Sequence, residues 1–185
     1  MEVAKSPVCQ HGLTLVELVT TLAIVLVVLG IGIPTWANLA QSNAITTARN
    51  HMQGTLMHAR MRAIQLNRHV TVCPSRDRKT CKPDHTAWHK GYISFVDVNG
   101  NRQRDAGDDL IQVTQPALSG IQIHSSIGRK SIRFGSGGNA WGSNLSLRFC
   151  SDSNSKNNKA LLVFGTGRAR LSKTLSDGSP VTCDS

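Results

Sequence analysis

At 185 residues the chain has room for one core plus an appendage, and 39% apolar with 17% charged residues is the composition of an ordinary folded protein. A net charge of +10 and a pI near 10.0 are less ordinary. Such a surface repels basic partners and attracts polyanions, either nucleic acid or an anionic membrane.

The first predicted element runs from Leu13 to Ile33, 21 residues with one charge, Glu17. That is about 30 Å of helix, enough to cross a bilayer core. Ahead of it lie 12 mostly polar residues with one lysine, Lys5. A secretory signal has a basic start, a shorter apolar stretch and a small-residue cleavage site after it. Here Gly12 precedes the apolar stretch, and no A-x-A-like site follows. A carboxylate costs roughly 2.5–3.5 kcal/mol at the centre of a membrane helix and less near the interface, so Glu17 calls for a partner. Cleavage between Gly12 and Leu13 would create an α-amino group one helical turn from Glu17. In a bundle of such helices the amine of one chain neutralises the carboxylate of the next. A plain membrane anchor with an interfacial glutamate is the alternative.

The stretch from Gly12 to Leu18, G-LTLVEL, resembles the type III signal of type IV pilins and of the pseudopilins of type II secretion. The resemblance implies removal of residues 1–12 by a prepilin peptidase and N-methylation of Leu13, where the family usually has phenylalanine. It also implies a membrane or fibre helix over 13–34, with Pro34 matching a proline that loosens the family's helix. Residues 35–185 are then a head in the periplasm, carried to the cell surface when the fibre assembles from the inner membrane.

Beyond Pro34, Ala48, Met52, Leu56, Ala59, Ala63 and Leu66 recur at helical spacing, with Arg49, Arg60 and Arg62 off that face. The helix therefore continues to about residue 66, where Asn67 is placed to end it; Gly54 weakens it locally. From Arg68 onward short β runs alternate with turn signals: 68–73, 91–98, 109–115, 121–125, 131–135, 145–150 and 160–165. The expected fold is α+β, a long N-terminal helix packed on an antiparallel β-sheet head.

Cys9 belongs to the leader, leaving Cys73, Cys81, Cys150 and Cys183, which allow three connectivities. The expectation is Cys73–Cys81 closing a small loop and Cys150–Cys183 tying down the C-terminus, as suits a head outside the cytoplasm. A zinc site is the rival, but close pairs such as C-x2-C are missing.

The segment Ala87–Gln112, with Trp88, Gly91, Tyr92, Phe95 and Asp97, resembles the core signature of the FimT/GspH family of minor pilins and minor pseudopilins; the family more often has tryptophan where this chain has Tyr92. Three of the chain's eight aromatic residues fall within it, which points to a core. In the loop that follows, Asp97, Asn99, Asn101, Asp105 and Asp108 fall on positions 1, 3, 5, 9 and 12 of a calcium-loop template. The template's glycine is Arg102 and its final glutamate is Asp108, so a hairpin turn is expected and no metal.

Near the C-terminus, Gly167-Arg168-Ala169-Arg170 follows the apolar run at 160–164. In an extended segment Arg168 and Arg170 project to one face, with Ala169 and Leu171 turned inward. Gly165 and Gly167 let the backbone bend or approach another surface closely. Two guanidinium forks with Lys173 nearby suit adjacent phosphates of DNA, which supply affinity without sequence readout. Solvated arginines, or arginines paired with Asp152 or Asp177, are the alternative. The resemblance speaks for DNA: FimT proteins linked to natural transformation carry a G-R-x-R motif used to bind it. Without Lys5, Glu2 and Glu17 the remainder holds 20 basic and 9 acidic residues, about +11. Further basic clusters lie at Arg76, Arg78, Lys79 and Lys82; at Arg129, Lys130 and Arg133; and at Lys156 and Lys159.

The sequence thus suggests a minor pilin that binds double-stranded DNA through Gly167, Arg168, Arg170 and Lys173 and promotes its uptake. The alternative is a structural minor pilin or pseudopilin that primes fibre assembly, its arginines meeting a neighbouring subunit. No nucleophile motif, phosphate loop or metal-ligand pair emerges, so no enzyme activity and no cofactor are expected.

Overall fold

The computed structural model describes residues 12, 14–82, 84–151 and 155–183, with the side chains of 32–35 and 37 excepted. Residues 1–11 and Leu13 lie outside the described residues, as does the side chain of Pro34. The chain divides into two units, Met1–Leu39 and Ala40–Ser185. One helix, α1 (Leu15–Leu66), contributes to both.

In the first unit Thr14 starts the helix. Its carbonyl accepts Leu18 N–H at 3.1 Å, and its hydroxyl accepts Glu17 N–H at 3.2 Å. Glu17 lies in the first turn, where the positive end of the helix dipole favours a carboxylate. Leu15, Leu18, Leu22, Leu26 and Leu29 are all at least half exposed, as are the valines and isoleucines between them. A helix that is apolar on every side is suited to lipid or to other helices. No membrane span is assigned among the described residues. The apolar run begins at Leu13 and ends among residues 32–35, so the crossing remains an expectation of the sequence.

In the second unit α1 presents Ile45, Met52, Leu56, Ala59 and Ala63 to the core, with Ala44 and Ala48 partly buried beside them. This is the periodic face expected, except that Leu66 at the helix end is exposed. Asn67 adopts φ 50°. Its N–H donates to Ile64 O, and Arg68 N–H donates to Ala63 O, both at 3.2 Å, which is a Schellman-type C-cap. Gly54 sits on the exposed side with no neighbour to clash with.

Eight strands follow: β1 (Val70–Pro74), β2 (Tyr92–Val96), β3 (Leu110–Thr114), β4 (Ile121–Ser125), β5 (Ile132–Phe134), β6 (Leu145–Ser151), β7 (Lys159–Val163) and β8 (Ala169–Ser172). They form two four-stranded antiparallel sheets, ordered β3-β2-β1-β5 and β4-β6-β7-β8. Val70, Val72, Ile132 and Phe134 of the first sheet, and Ile123, Leu147, Phe149 and Leu161 of the second, close a single core against α1. Every buried apolar side chain described belongs to residues 45–181, so the second unit holds its whole core.

The aromatic segment divides between two cores. Trp88 and Tyr92 join the helix-facing core, whereas Phe95 packs with Ile93, Cys73 and Cys81 on the other side of the first sheet. His51 Nδ1 meets Tyr92 Oη at 2.9 Å, anchoring helix to strand. Gly91 at φ 116° is required: a Cβ there would lie 3.0 Å from Thr114 O and 3.1 Å from Ser75 O. The disulfides are Cys73–Cys81 and Cys150–Cys183.

Candidate nucleic-acid interface

β7 and β8 form a hairpin whose turn runs from Phe164 to Arg168. Gly167 N–H donates to Phe164 O at 2.8 Å, and Phe164 N–H donates to Arg168 O at 3.0 Å. Gly167 has φ 78°, and a Cβ there would fall 2.0 Å from the Gly138 carbonyl oxygen. No side chain fits. The same carbonyl accepts Arg60 Nε at 2.7 Å, and Arg60 Nη2 reaches Thr166 O at 3.3 Å. A guanidinium on α1 thus fastens two glycine loops together: the hairpin turn and the β5–β6 loop. Gly138 is itself constrained, with φ 74° and a would-be Cβ only 2.7 Å from Ile64 Cδ1.

Beyond this anchored turn, Ala169 pairs with Val163, Arg170 with Leu162 and Leu171 with Leu161. Ala169 packs on the main core. By strand alternation Arg168 and Arg170 share the opposite face, and both are exposed. Leu171 has the parity of Ala169 but remains 38% exposed rather than turned into the core. The reason is position: β8 is the edge strand of its sheet. Beside Arg170 a groove of about 330 Å³ is lined in part by Ser146, Leu162, Phe164 and Ser176.

Carboxylates in the loops of the head are engaged elsewhere. Asp177 Oδ1 accepts both the N–H and the hydroxyl of Ser179, which hold its pKa below the usual carboxylate range. Asp152 lies outside the described residues. Asp77 accepts from Thr80, Lys79 and Ser75, and Asp84 from Thr86. Asp97 accepts from Thr71 Oγ1 and Arg102 N–H, Asp105 from Asn99 and Asn101, and Asp108 from Val98 and Asp105 N–H. These acids cap loops. The 97–108 segment is accordingly a hydrogen-bonded turn, and Arg102 at φ 65° occupies the calcium template's glycine position. The salt bridge found among the described residues is Arg76–Asp84 at 3.4 Å, at neither arginine of the hairpin.

Lys173 has a different setting. It and Arg49 are the positive neighbours of Lys159, whose pKa is lowered first by burial and then by them. Lys159 Nζ donates to Thr46 Oγ1 on α1 at 2.7 Å. Lys173 therefore belongs with a patch at the helix side of the sheet, while Arg168 and Arg170 face away. The cluster at residues 76–82 is held by Cys73–Cys81, by Arg78 to Gln115 Oε1 at 3.2 Å and by Arg104 to Lys79 O at 2.9 Å.

The third cluster ties to the β5–β6 loop. Arg129 Nη1 donates to Gly142 O at 2.9 Å, and Arg133 Nη1 donates to Gly100 O. Arg102, Arg129 and Arg133 are close enough that, after burial, the other two lower the pKa of Arg102. One residue before Gly142 stands Trp141, beside Gly165 of the hairpin turn. Sequence reasoning passed over Arg60, Gly138 and Trp141. The available signal was the glycine-rich stretch 135–144 with a tryptophan inside it. Nothing local marks Arg60, whose partners are 78 and 106 residues away. Of the processing residues, Gly12 is exposed, Glu17 lies in the first helical turn and Leu13 is outside the described residues.

A long N-terminal helix whose second part underlies paired antiparallel sheets, with glycine-anchored basic loops on the head, defines a pilin-type subunit. The sequence model of the GspH family, type II transport protein GspH, matches residues 48–167. The chain belongs to that family. Among solved structures it is similar to the type IV minor pilin FimU of Pseudomonas aeruginosa in two crystal forms. One has TM-score 0.59 at 17% identity, covering 79% of this chain and 99% of FimU; the other has TM-score 0.51 at 17% identity, covering 75% and 99%. The minor pseudopilin EpsH of Vibrio cholerae follows with TM-score 0.47 at 12% identity, over 68% of this chain and 94% of EpsH. No curated protein matches. The chain thus joins membership of the GspH family to the fold seen in the minor pilin FimU.

Proposed function

We propose that this protein is a minor type IV pilin that binds double-stranded DNA non-specifically and promotes its uptake in natural transformation. The observation that carries the reading is the anchored hairpin. Gly167 and Arg60 fix a turn from which Arg168 and Arg170 extend, exposed and without a carboxylate partner among the described residues. Residues two apart in a strand stand about 6.6 Å apart, a spacing that lets two forks engage neighbouring phosphates of one strand. The cluster at Arg129, Lys130 and Arg133 is a second source of phosphate contacts, and Lys173 serves with Lys159 on the helix side.

The membrane and processing steps complete the reading. Prepilin peptidase cuts between Gly12 and Leu13 and the new amine is methylated. The apolar helix holds the subunit in the inner membrane with its head in the periplasm, until Glu17 pairs with a neighbouring amine in the fibre. DNA, other pilins and the peptidase are then its partners.

The test is DNA binding by the second unit, residues 40–185, at two salt concentrations. Phosphate contacts predict a log–log slope near −0.9 for each phosphate neutralised, about −4 for four. Arg168→Ala/Arg170→Ala should lose affinity and reduce the slope by about 2. Equal binding by both proteins, or salt-independent binding, refutes the mechanism. One feature favours the second reading: β8 is an unpaired edge, and edge arginines also guard against strand pairing or meet another subunit. On that reading the double variant impairs fibre assembly and has no DNA phenotype of its own.

A further inference from the structure

Trp141 is 71% exposed. In the second unit the other tryptophan, Trp88, is fully buried, Tyr92, Phe95, Phe134 and Phe149 are buried, and Phe164 is 38% exposed. An indole so exposed presents a flat face on which a planar partner can stack. Its surroundings define the chemistry. On one side its ring edge adjoins Gly165, where a Cβ would lie 3.5 Å from Trp141 Cε3; that glycine belongs to the turn ending at Arg168. On the other side the next residue, Gly142, gives its carbonyl to Arg129 at 2.9 Å and has Arg102 Nη2 within 3.5 Å of its would-be Cβ.

The loop under Trp141 is fixed rather than loose. Ala140 N–H donates to Gly165 O at 2.8 Å, Ser143 N–H donates to Ala140 O at 2.9 Å, and Ser143 Oγ accepts Arg133 N–H at 3.1 Å. The indole is therefore held on a fixed loop, next to the turn that leads into Arg168 and one residue from the carbonyl that Arg129 grips. A flat apolar surface on segments that also carry arginines matches an unpaired base attached to its backbone, and does not match a duplex, whose base faces are stacked inside.

We propose that Trp141 is a stacking platform for an unpaired base of single-stranded DNA, with Arg129 on its own loop and Arg168 at the end of the neighbouring turn to take the phosphates. The inference rests on the DNA-binding reading above and adds to it a second substrate form. Any base can stack, so the site would read no sequence. Duplex would use the arginines alone, while a frayed end or a single strand would use the arginines and the indole.

The second unit, residues 40–185, contains Trp88 and Trp141 as its tryptophans, which gives a direct probe. A single-stranded oligothymidylate should quench the emission of exposed Trp141, and a matched-length duplex should leave it nearly unchanged. Trp141→Ala should weaken oligothymidylate binding about 5- to 150-fold, as for loss of one stacked base. It should leave duplex affinity within about twofold, and Trp141→Phe should recover most of the loss. The remaining emission of buried Trp88 reports that the Ala variant is folded. Binding of both polymers with Trp141→Ala as tight as wild type overturns the stacking site and leaves the phosphate grip standing. Binding of neither polymer by the wild-type protein overturns the DNA reading and this inference together.

Discussion

Gly167→Ala is the substitution on which the geometry bears hardest. The left-handed backbone at φ 78° costs an alanine about 1–2 kcal/mol. The new methyl would also stand 2.0 Å from the Gly138 carbonyl oxygen, a backbone atom with no freedom to rotate away. The turn must lift, and the bond from Arg60 Nε to that carbonyl goes with it, a charged hydrogen bond worth about 1.5–3 kcal/mol. Together these give about 3–5 kcal/mol. For a head of this size that is a fall in Tm of about 10–15 °C. Thermal unfolding of residues 40–185 by circular dichroism, with the disulfides intact, measures it. DNA affinity should fall as well, since the arginines lose their aim. Arg168→Ala/Arg170→Ala makes the opposite pair of changes. Both side chains are exposed, so Tm should stay within the roughly 0.5 kcal/mol range of surface substitutions while DNA affinity falls. A Gly167→Ala head that melts within about 2 °C of wild type would refute the claim that this glycine is fixed by its close approach.

Arg60→Met should act at a distance. It removes both bonds to the glycine loops but no phosphate contact, so affinity for DNA falls while the salt slope stays that of wild type. Opening Cys150–Cys183, which closes a separation of 33 residues, should cost about 3.7 kcal/mol by chain entropy. Opening Cys73–Cys81, with a separation of 8, should cost about 2.5 kcal/mol. Paired Cys→Ser variants compared by urea denaturation check the order. His124 is held below its ordinary pKa, first by burial and then by the neighbouring His89. The unfolded chain therefore takes up this proton before the folded one does. Stability should fall as pH drops below about 6.5, until the folded value is passed. His124→Gln should flatten that part of a Tm-against-pH curve. Asp77 behaves as a carboxylate depressed chiefly by the Thr80 hydroxyl, so its contribution persists above about pH 4 and is lost below it.

Local pattern carried much of the fold. The face Met52-Leu56-Ala59-Ala63 is buried as its spacing requires, because the helix period is a property of the backbone and needs no distant partner. The seven β runs all became strands for the same reason, and β8 was legible as the extended segment holding the arginines. Cysteine spacing pointed to the two disulfides found. Sheet membership was not legible. Alternation states which residues share a face but not which strand lies beside which, so Phe95 was expected with Trp88 and instead packs on the far side of the first sheet.

The same division runs through the candidate site. The sequence by itself determined the helix, the strands, the basic charge and the pairing of Arg168 with Arg170 on one face, since each depends on neighbours within a few residues. Only the tertiary structure decided that Gly167 rests on Gly138, that Arg60 fastens both loops, that Lys173 turns to Lys159 and that Trp141 stands beside Gly165 of the hairpin turn. Those contacts join segments dozens of residues apart, and the packing of two sheets against one helix is what brings them within reach.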